Sequence, residues 1–135
     1  MQKIISGITL LALVIAGSSF IQAFSLPKSI ERGKEGYTTY CQNCHQADGK
    51  GTPGAFPPLA KSDFLKKPVK AMIDNVLLGQ NGETTVNAQK YNGVMPAQNY
   101  LTDDQIADIL NYVRNSWGNK SAVVVTPALV KKARP

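Results

Sequence analysis

The two cysteines and the single histidine of this chain fall together as Cys41-Gln42-Asn43-Cys44-His45. On a helical turn, side chains three and four positions apart share a face, so both thiols and the imidazole point the same way. A disulfide between residues three apart ties no distant segments together, which makes a structural staple a poor use of this spacing. A thioredoxin-like redox pair belongs in a βαβ setting, and the Gly/Pro-rich sequence that follows does not supply one. A closed zinc cage needs four protein ligands, and two Cys with one His give three. What fits every residue type is covalent attachment of a haem: each thiol adds to one vinyl group, and the adjacent histidine turns its imidazole onto the iron.

Elements elsewhere in the chain must position that turn and cover the cofactor. With 135 residues, 43% hydrophobic and 18% charged, there is room for one compact domain. Its beginning reads differently: Lys3, an apolar run from Ile8 to Ile15, then small residues through Ser18, Ser19 and Ala23. That order predicts a secretory signal peptide over residues 1–23, cleaved after Ala23, with Ser18 and Ser19 as other cleavage positions. The competing reading is an uncleaved membrane anchor, because Ile4 to Phe24 carries no charge. Gly7, Gly17, Ser18, Ser19 and Gln22 make it a poor span, so no stable membrane insertion is expected. Cleavage removes one lysine and leaves 112 residues with 14 basic and 9 acidic side chains. The mature chain is mildly basic but has no basic, aromatic-interleaved stripe, which argues against nucleic acid as a partner.

From Ser29 to Tyr40 the sequence predicts a helix, with Gly33 marking a place where another backbone comes close. Residues 47–54 form a glycine-rich loop, followed by Ala55-Phe56-Pro57-Pro58-Leu59. A short helix runs from Pro68 to Leu78, stopped by Gly79, with Met72 among aliphatics as packing. The polar run Asn81 to Lys90 forms a small β-hairpin or a loop, and Tyr91-Asn92-Gly93-Val94-Met95-Pro96-Ala97 an extended loop. Thr102-Asp103-Asp104-Gln105 reads as a capping box opening a last helix with the stripe Ile106, Ile109, Leu110, Val113, ended by Gly118. Residues 120–135 are a C-terminal extension that packs in part over the surface, its basic end solvated.

These features make residues Ser29 to Asn119 resemble the class I c-type cytochromes: the helix before Cys-x-x-Cys-His, the Pro57-x-Leu59 segment, and Tyr91-x-Gly-x-Met95-Pro96. The resemblance implies an all-α fold, the small cytochrome c fold, with N- and C-terminal helices crossing and a domain over residues 24–119. Gly33 and Tyr37 would cross against Ile109 and Tyr112. It implies one covalent haem c on Cys41 and Cys44, with His45 and Met95 as axial iron ligands. The Pro57 carbonyl would accept the proton of the outer His45 ring nitrogen, while Leu59 and Tyr91 would pack beside the haem. Proline after Met95 restricts that residue to extended conformations, which suits a strap aiming sulfur at iron.

Function then follows as one-electron Fe(II)/Fe(III) cycling by a periplasmic carrier rather than an enzyme. Residues 81–95 and Val113 to Asn119 look most like haem domains attached to copper nitrite reductases and periplasmic dehydrogenases. That narrower resemblance implies a copper nitrite reductase or a dehydrogenase as redox partner protein, with the chain as free carrier or dedicated subunit; a terminal oxidase is a further partner class for such a carrier. A haem enzyme or ligand sensor is the remaining class, and it would need an exchangeable iron position and acid/base groups beyond the one histidine. The exposed haem edge is expected among Ala47, Val94, Pro96 and Ala97, with Lys50, Lys61, Lys66 and Lys67 around it.

Overall fold

The computed structural model describes residues 24–135; the signal-peptide expectation lies outside the described residues. Helix α1 spans Leu26–Tyr40, and its buried positions Ser29, Gly33 and Tyr37 recur every fourth residue along one face. That face crosses helix α4, Asp103–Val113. At Gly33 a Cβ would run into the backbone carbonyl of Asp108 and lie 2.8 Å from the Cβ of Tyr112. Glycine is therefore required for close approach, and the detailed pairing differs from the expected one. Ile109 sits against Gly36 instead, while Tyr37 meets Tyr112 with ring centroids 5.5 Å apart.

The crossing also encloses a polar network that periodicity does not announce. Asp108 is on the buried face, where the Arg32 guanidinium grips it with two hydrogen bonds at 2.6 and 2.9 Å. The Ser29 hydroxyl donates to the same carboxylate at 2.5 Å and accepts from the Asn111 amide at 2.9 Å. A buried carboxylate is tolerable only when paired and hydrogen-bonded in this way. The capping box of α4 forms as the sequence predicts: Thr102 Oγ1 accepts from the Gln105 amide, and the Gln105 side chain accepts from the Thr102 amide.

Between these helices lie α2, Gln42–His45, a single 3-10 turn at Asp63–Lys66, and α3, Val69–Leu78. The largely helical expectation holds, with one addition. Strands β1, Gln80–Val86, and β2, Gln89–Met95, pair antiparallel with Thr84 opposite Tyr91 and Gln80 opposite Met95. The hairpin alternative for the polar run is thus the observed one, and the segment expected as an extended loop is β2. Asn87 and Ala88 both have positive φ, 51° and 61°, as a two-residue turn matching the twist of its strands requires. Asn87 is fastened to the 3-10 turn by reciprocal bonds with Asp63 at 2.9 and 3.0 Å.

Helix α4, expected as the last helix, ends at Val113, before Gly118, and the chain turns through Trp117 and Gly118 with positive φ towards a further helix. The C-terminal segment is more than surface cover. Val125 and Val130 are completely buried, and helix α5, Pro127–Ala133, packs on α3 and α4. Lys131 and Lys132 are exposed, but Arg134 pairs with Asp103 at 2.6 Å rather than standing in solvent. Among the described residues no helix is long and apolar enough to cross a membrane.

Candidate functional site

Cys41 closes α1, and α2 starts immediately, so the His45 amide donates to the Cys41 carbonyl at 3.0 Å. This single turn brings Cys41, Cys44 and His45 onto one wall of a cleft. The two cysteines are not joined in a disulfide. Burial, helped by the neighbouring Cys44, pushes the Cys41 thiol up to about 11. A reactive redox dithiol needs the opposite shift, so the environment argues against thioredoxin-like chemistry.

His45 is buried, and its Nδ1 lies 2.9 Å from the Pro57 carbonyl oxygen. A carbonyl can only accept, so Nδ1 carries the proton and Nε2 is left with its lone pair. Burial lowers the imidazole's affinity for a second proton and outweighs the opposing bond to Pro57. The ring is held neutral and oriented, as a metal ligand must be. The loop that supplies Pro57 is itself pinned. Asn119 donates to the Leu59 and Val113 carbonyls at 2.9 and 2.8 Å and accepts from the Lys61 amide at 2.8 Å. Trp117 donates to the Ala47 carbonyl at 3.0 Å and packs against Tyr37 at a tilt, centroids 4.9 Å apart, tying the loop after the Cys-x-x-Cys-His turn to the helix crossing.

The hairpin forms another wall. Strand alternation turns Thr84 and Val86 on β1, and Tyr91, Gly93 and Met95 on β2, towards the cleft. The Asn75 amide of α3 donates to Met95 Sδ at 3.2 Å. Met95 is further confined by Gly79, which ends α3 at φ 74°: a Cβ there would strike the Met95 carbonyl oxygen. Leu59, Phe64, Leu65, Met72, Ile109 and Leu110 supply the apolar remainder. Met72 is 2% exposed and belongs to the core cluster, in keeping with a packing role.

The structure therefore brings Cys41, Cys44, His45, Pro57, Leu59, Tyr91 and Met95 to one cleft. Its empty space, counted out to the open mouth, is about 1240 Å³, and among the described residues no Asp, Glu, Lys or Arg lines it. That donor set fits a haem: two thiols and an imidazole from one turn, a thioether from a second wall, and an apolar lining for a flat macrocycle. The model for the family described as cytochrome c matches residues 30–117. The chain belongs to the cytochrome c family. Covalently bound haem c comes with that membership, and Cys41 and Cys44 are the residues present for it.

Among curated proteins, cytochrome c-552 of Thermus thermophilus is 41% identical over 87 residues, covering 62% of this chain and 66% of that protein. The cytochrome c subunit of alcohol dehydrogenase (quinone) from Gluconacetobacter polyoxogenes is 34% identical over 115 residues, covering 76% and 22%. The gluconate 2-dehydrogenase cytochrome c subunit of Pantoea cypripedii is 28% identical over 106 residues, covering 77% and 24%. The chain thus spans less than two thirds of the cytochrome c-552 relatives and under a quarter of the dehydrogenase subunits.

Around the mouth, Val94, Pro96 and Ala97 are exposed as expected, and Val94 and Pro96 line the cleft. Ala47 is exposed as well, its carbonyl accepting from Trp117, but neither it nor Ala97 lines the cleft. Two tyrosines join this edge, Tyr40 on the cleft wall and Tyr100, their rings 6.3 Å apart. Of the four lysines expected around this edge, Lys50 pairs with Asp48 and Lys61 packs by Gly118. Lys66 ends the 3-10 turn whose Phe64 and Leu65 line the cleft, and Lys67 caps it, 4.4 Å from the Phe64 ring centroid. Sequence reasoning missed Asn75, although a polar residue three positions after Met72 on the apolar face of α3 was the available signal.

Proposed function

We propose that this protein is an exported electron carrier in which His45 and Met95 would hold the iron of the bound haem c. The observation that carries the reading is the meeting of an oriented, neutral imidazole and a hydrogen-bonded thioether in one apolar cleft with both cysteines. Bound there, the haem supplies an iron that changes between Fe(II) and Fe(III) by one electron. Cys41 and Cys44 anchor it through thioethers. His45 presents Nε2 while Pro57 keeps its tautomer fixed, and a carbonyl acceptor strengthens the ring as a donor. Met95 offers a neutral sulfur that favours the ferrous state. The Asn75 amide draws electron density from that sulfur and adds to the same preference. Leu59 and Tyr91, the latter 4% exposed, pack beside the macrocycle and exclude water.

The uncharged lining favours electron transfer over enzymatic or sensory chemistry. His45 is the only histidine, and among the described residues no Asp, Glu, Lys or Arg lines the cleft to move protons. Export over a cleaved residue 1–23 signal supports a periplasmic location, where cysteine-bound haem is assembled. The names of the dehydrogenase relatives support the reading of a dedicated subunit as well as that of a free carrier. A copper nitrite reductase stays among the partner classes on sequence resemblance, with a terminal oxidase as a further class for such a carrier. Exposed Val94, Pro96 and Tyr100 at the mouth, with Lys66 and Lys67 beside it, suit brief docking to an acidic partner.

The test is redox titration of the periplasmic protein with spectra of the ferric form. One reversible one-electron step, with a methionine-to-iron band that Met95→Ala abolishes, is expected. An intact band in that variant would move the sixth ligand elsewhere.

A further inference from the structure

The C-terminal segment lies beyond residues 30–117, where the family model matches, yet it reaches back to the strap that follows Met95. Its path is fixed at three points. Asn111 clasps Val125, donating to its carbonyl at 2.8 Å and accepting from its amide at 2.9 Å. Arg114 Nη1 donates to the Val123 carbonyl at 2.8 Å. Thr126 caps α5, and the completely buried Val130 anchors the helix in the core. The helix then delivers Arg134, whose side chain makes three bonds. Nε binds Asp103 at 2.6 Å, Nη1 binds the Asn99 carbonyl at 2.9 Å, and Nη2 binds the Leu101 carbonyl at 2.6 Å.

Asn99 and Leu101 belong to the segment that carries the chain from Met95 to α4. Its other ties run through Gln98 and Leu101. The Gln98 amide binds the Val76 carbonyl at 2.8 Å, the Leu101 amide binds the Gln98 carbonyl at 3.1 Å, the Gln98 side chain folds back on Pro96 and accepts from the Tyr100 hydroxyl at 2.5 Å, and Leu101 is buried in the core. Without Arg134 two strap carbonyls lose their charged donor, and Asp103 loses its ion-pair partner. Asp103 carries the first turn of α4, so the guanidinium also fixes where strap ends and helix begins.

We propose that Arg134 is a positioning residue for the sixth iron ligand: the C-terminal extension clamps the 96–101 strap and so holds Met95 on the haem. This rests on Met95 being the ligand. The clamp raises the free energy of strap opening and thereby slows replacement of the thioether by an outside ligand. Losing two charge-assisted hydrogen bonds to the strap is expected to raise the open population about tenfold or more. A merely structural role for Arg134 would lower stability without that selective opening.

The experiment uses the ferric holo-protein and imidazole as the probe that displaces a thioether. Arg134→Gln should bind imidazole about tenfold faster or more, with a weakened methionine-to-iron band, and Arg134→Lys should fall between it and the parent. Ser29→Ala, which loosens the α1–α4 network away from the strap, should lower the melting temperature and leave imidazole binding unchanged. Arg134→Gln combined with Met95→Ala should bind no faster than Met95→Ala alone. Imidazole binding unchanged in Arg134→Gln, or raised equally in Ser29→Ala, overturns the clamp while leaving Met95 as ligand. A Met95→Ala protein that binds imidazole no faster than the parent removes the ligand reading and the clamp with it. Should Arg134→Gln yield no holo-protein, hydrogen exchange at the Gln98 and Leu101 amides of Arg134→Lys decides instead. Protection there equal to the parent's overturns the proposal.

Discussion

Cys41, Cys44 and His45 share a face because they occupy one helical turn, and a backbone bond of 3.0 Å from the His45 amide to the Cys41 carbonyl closes it. Met95, on another wall of the same cleft, owes its place to partners far along the chain. Asn75 is 20 residues away, Gln80 faces it across the hairpin, and Arg134 holds the strap 35 residues beyond Asn99. Local geometry makes the first wall robust, because few degrees of freedom separate the three groups. The second wall depends on tertiary contacts that can open separately, which is the usual character of an exchangeable or tunable part.

This contrast can be broken most severely at the local wall. Cys41→Ala or Cys44→Ala should remove nearly all covalently bound haem, measured as haem retained by the denatured polypeptide after acid-acetone extraction. Gly33→Leu attacks the frame behind both walls. With the Asp108 carbonyl in the way, a side chain there should cost about 3 kcal/mol or more, read as a fall in the denaturation midpoint. The two methionines then separate the roles. Met72→Ala should cost about 2–5 kcal/mol of stability and keep the methionine-to-iron band, because Met72 is a core residue. Met95→Ala should lose the band at smaller cost in stability, since Met95 is only half-buried. The finest adjustment is at Asn75. Replacing its amide by an isosteric apolar group in Asn75→Leu should lower the reduction potential by roughly 40 mV, the one-electron equivalent of about 1 kcal/mol. Potentiometry reads this, and an unchanged potential would show that the bond to Sδ does not tune the iron.

The sequence by itself determined whatever depends on short spacing. Cys-x-x-Cys-His, the Thr102–Gln105 capping box, the stop at Gly79 and the helix at 69–78 were legible because each is encoded within a few residues. Gly33 was legible too, since a glycine inside a helix needs a reason, and so was Tyr112 across from it, but the Asp108 carbonyl was not. Whether Asp108 or Ile109 lies over it depends on the rotation of two helices about their crossing. The 81–90 run left hairpin and loop open, and 91–97 read as a loop, because a half-exposed, polar ribbon has little hydrophobic alternation to set a register. Only the tertiary structure decided it, through the Asn87 to Asp63 bonds and the facing of Tyr91, Gly93 and Met95. The same holds for the C-terminal segment. Val123-Val124-Val125 and a basic end carry no period that names a target, whereas three-dimensional packing buries Val125 and Val130 and leads Arg134 to the strap. Contacts between residues 20 or 35 apart are absent from any local window, and they are what holds the second wall of this cleft in place.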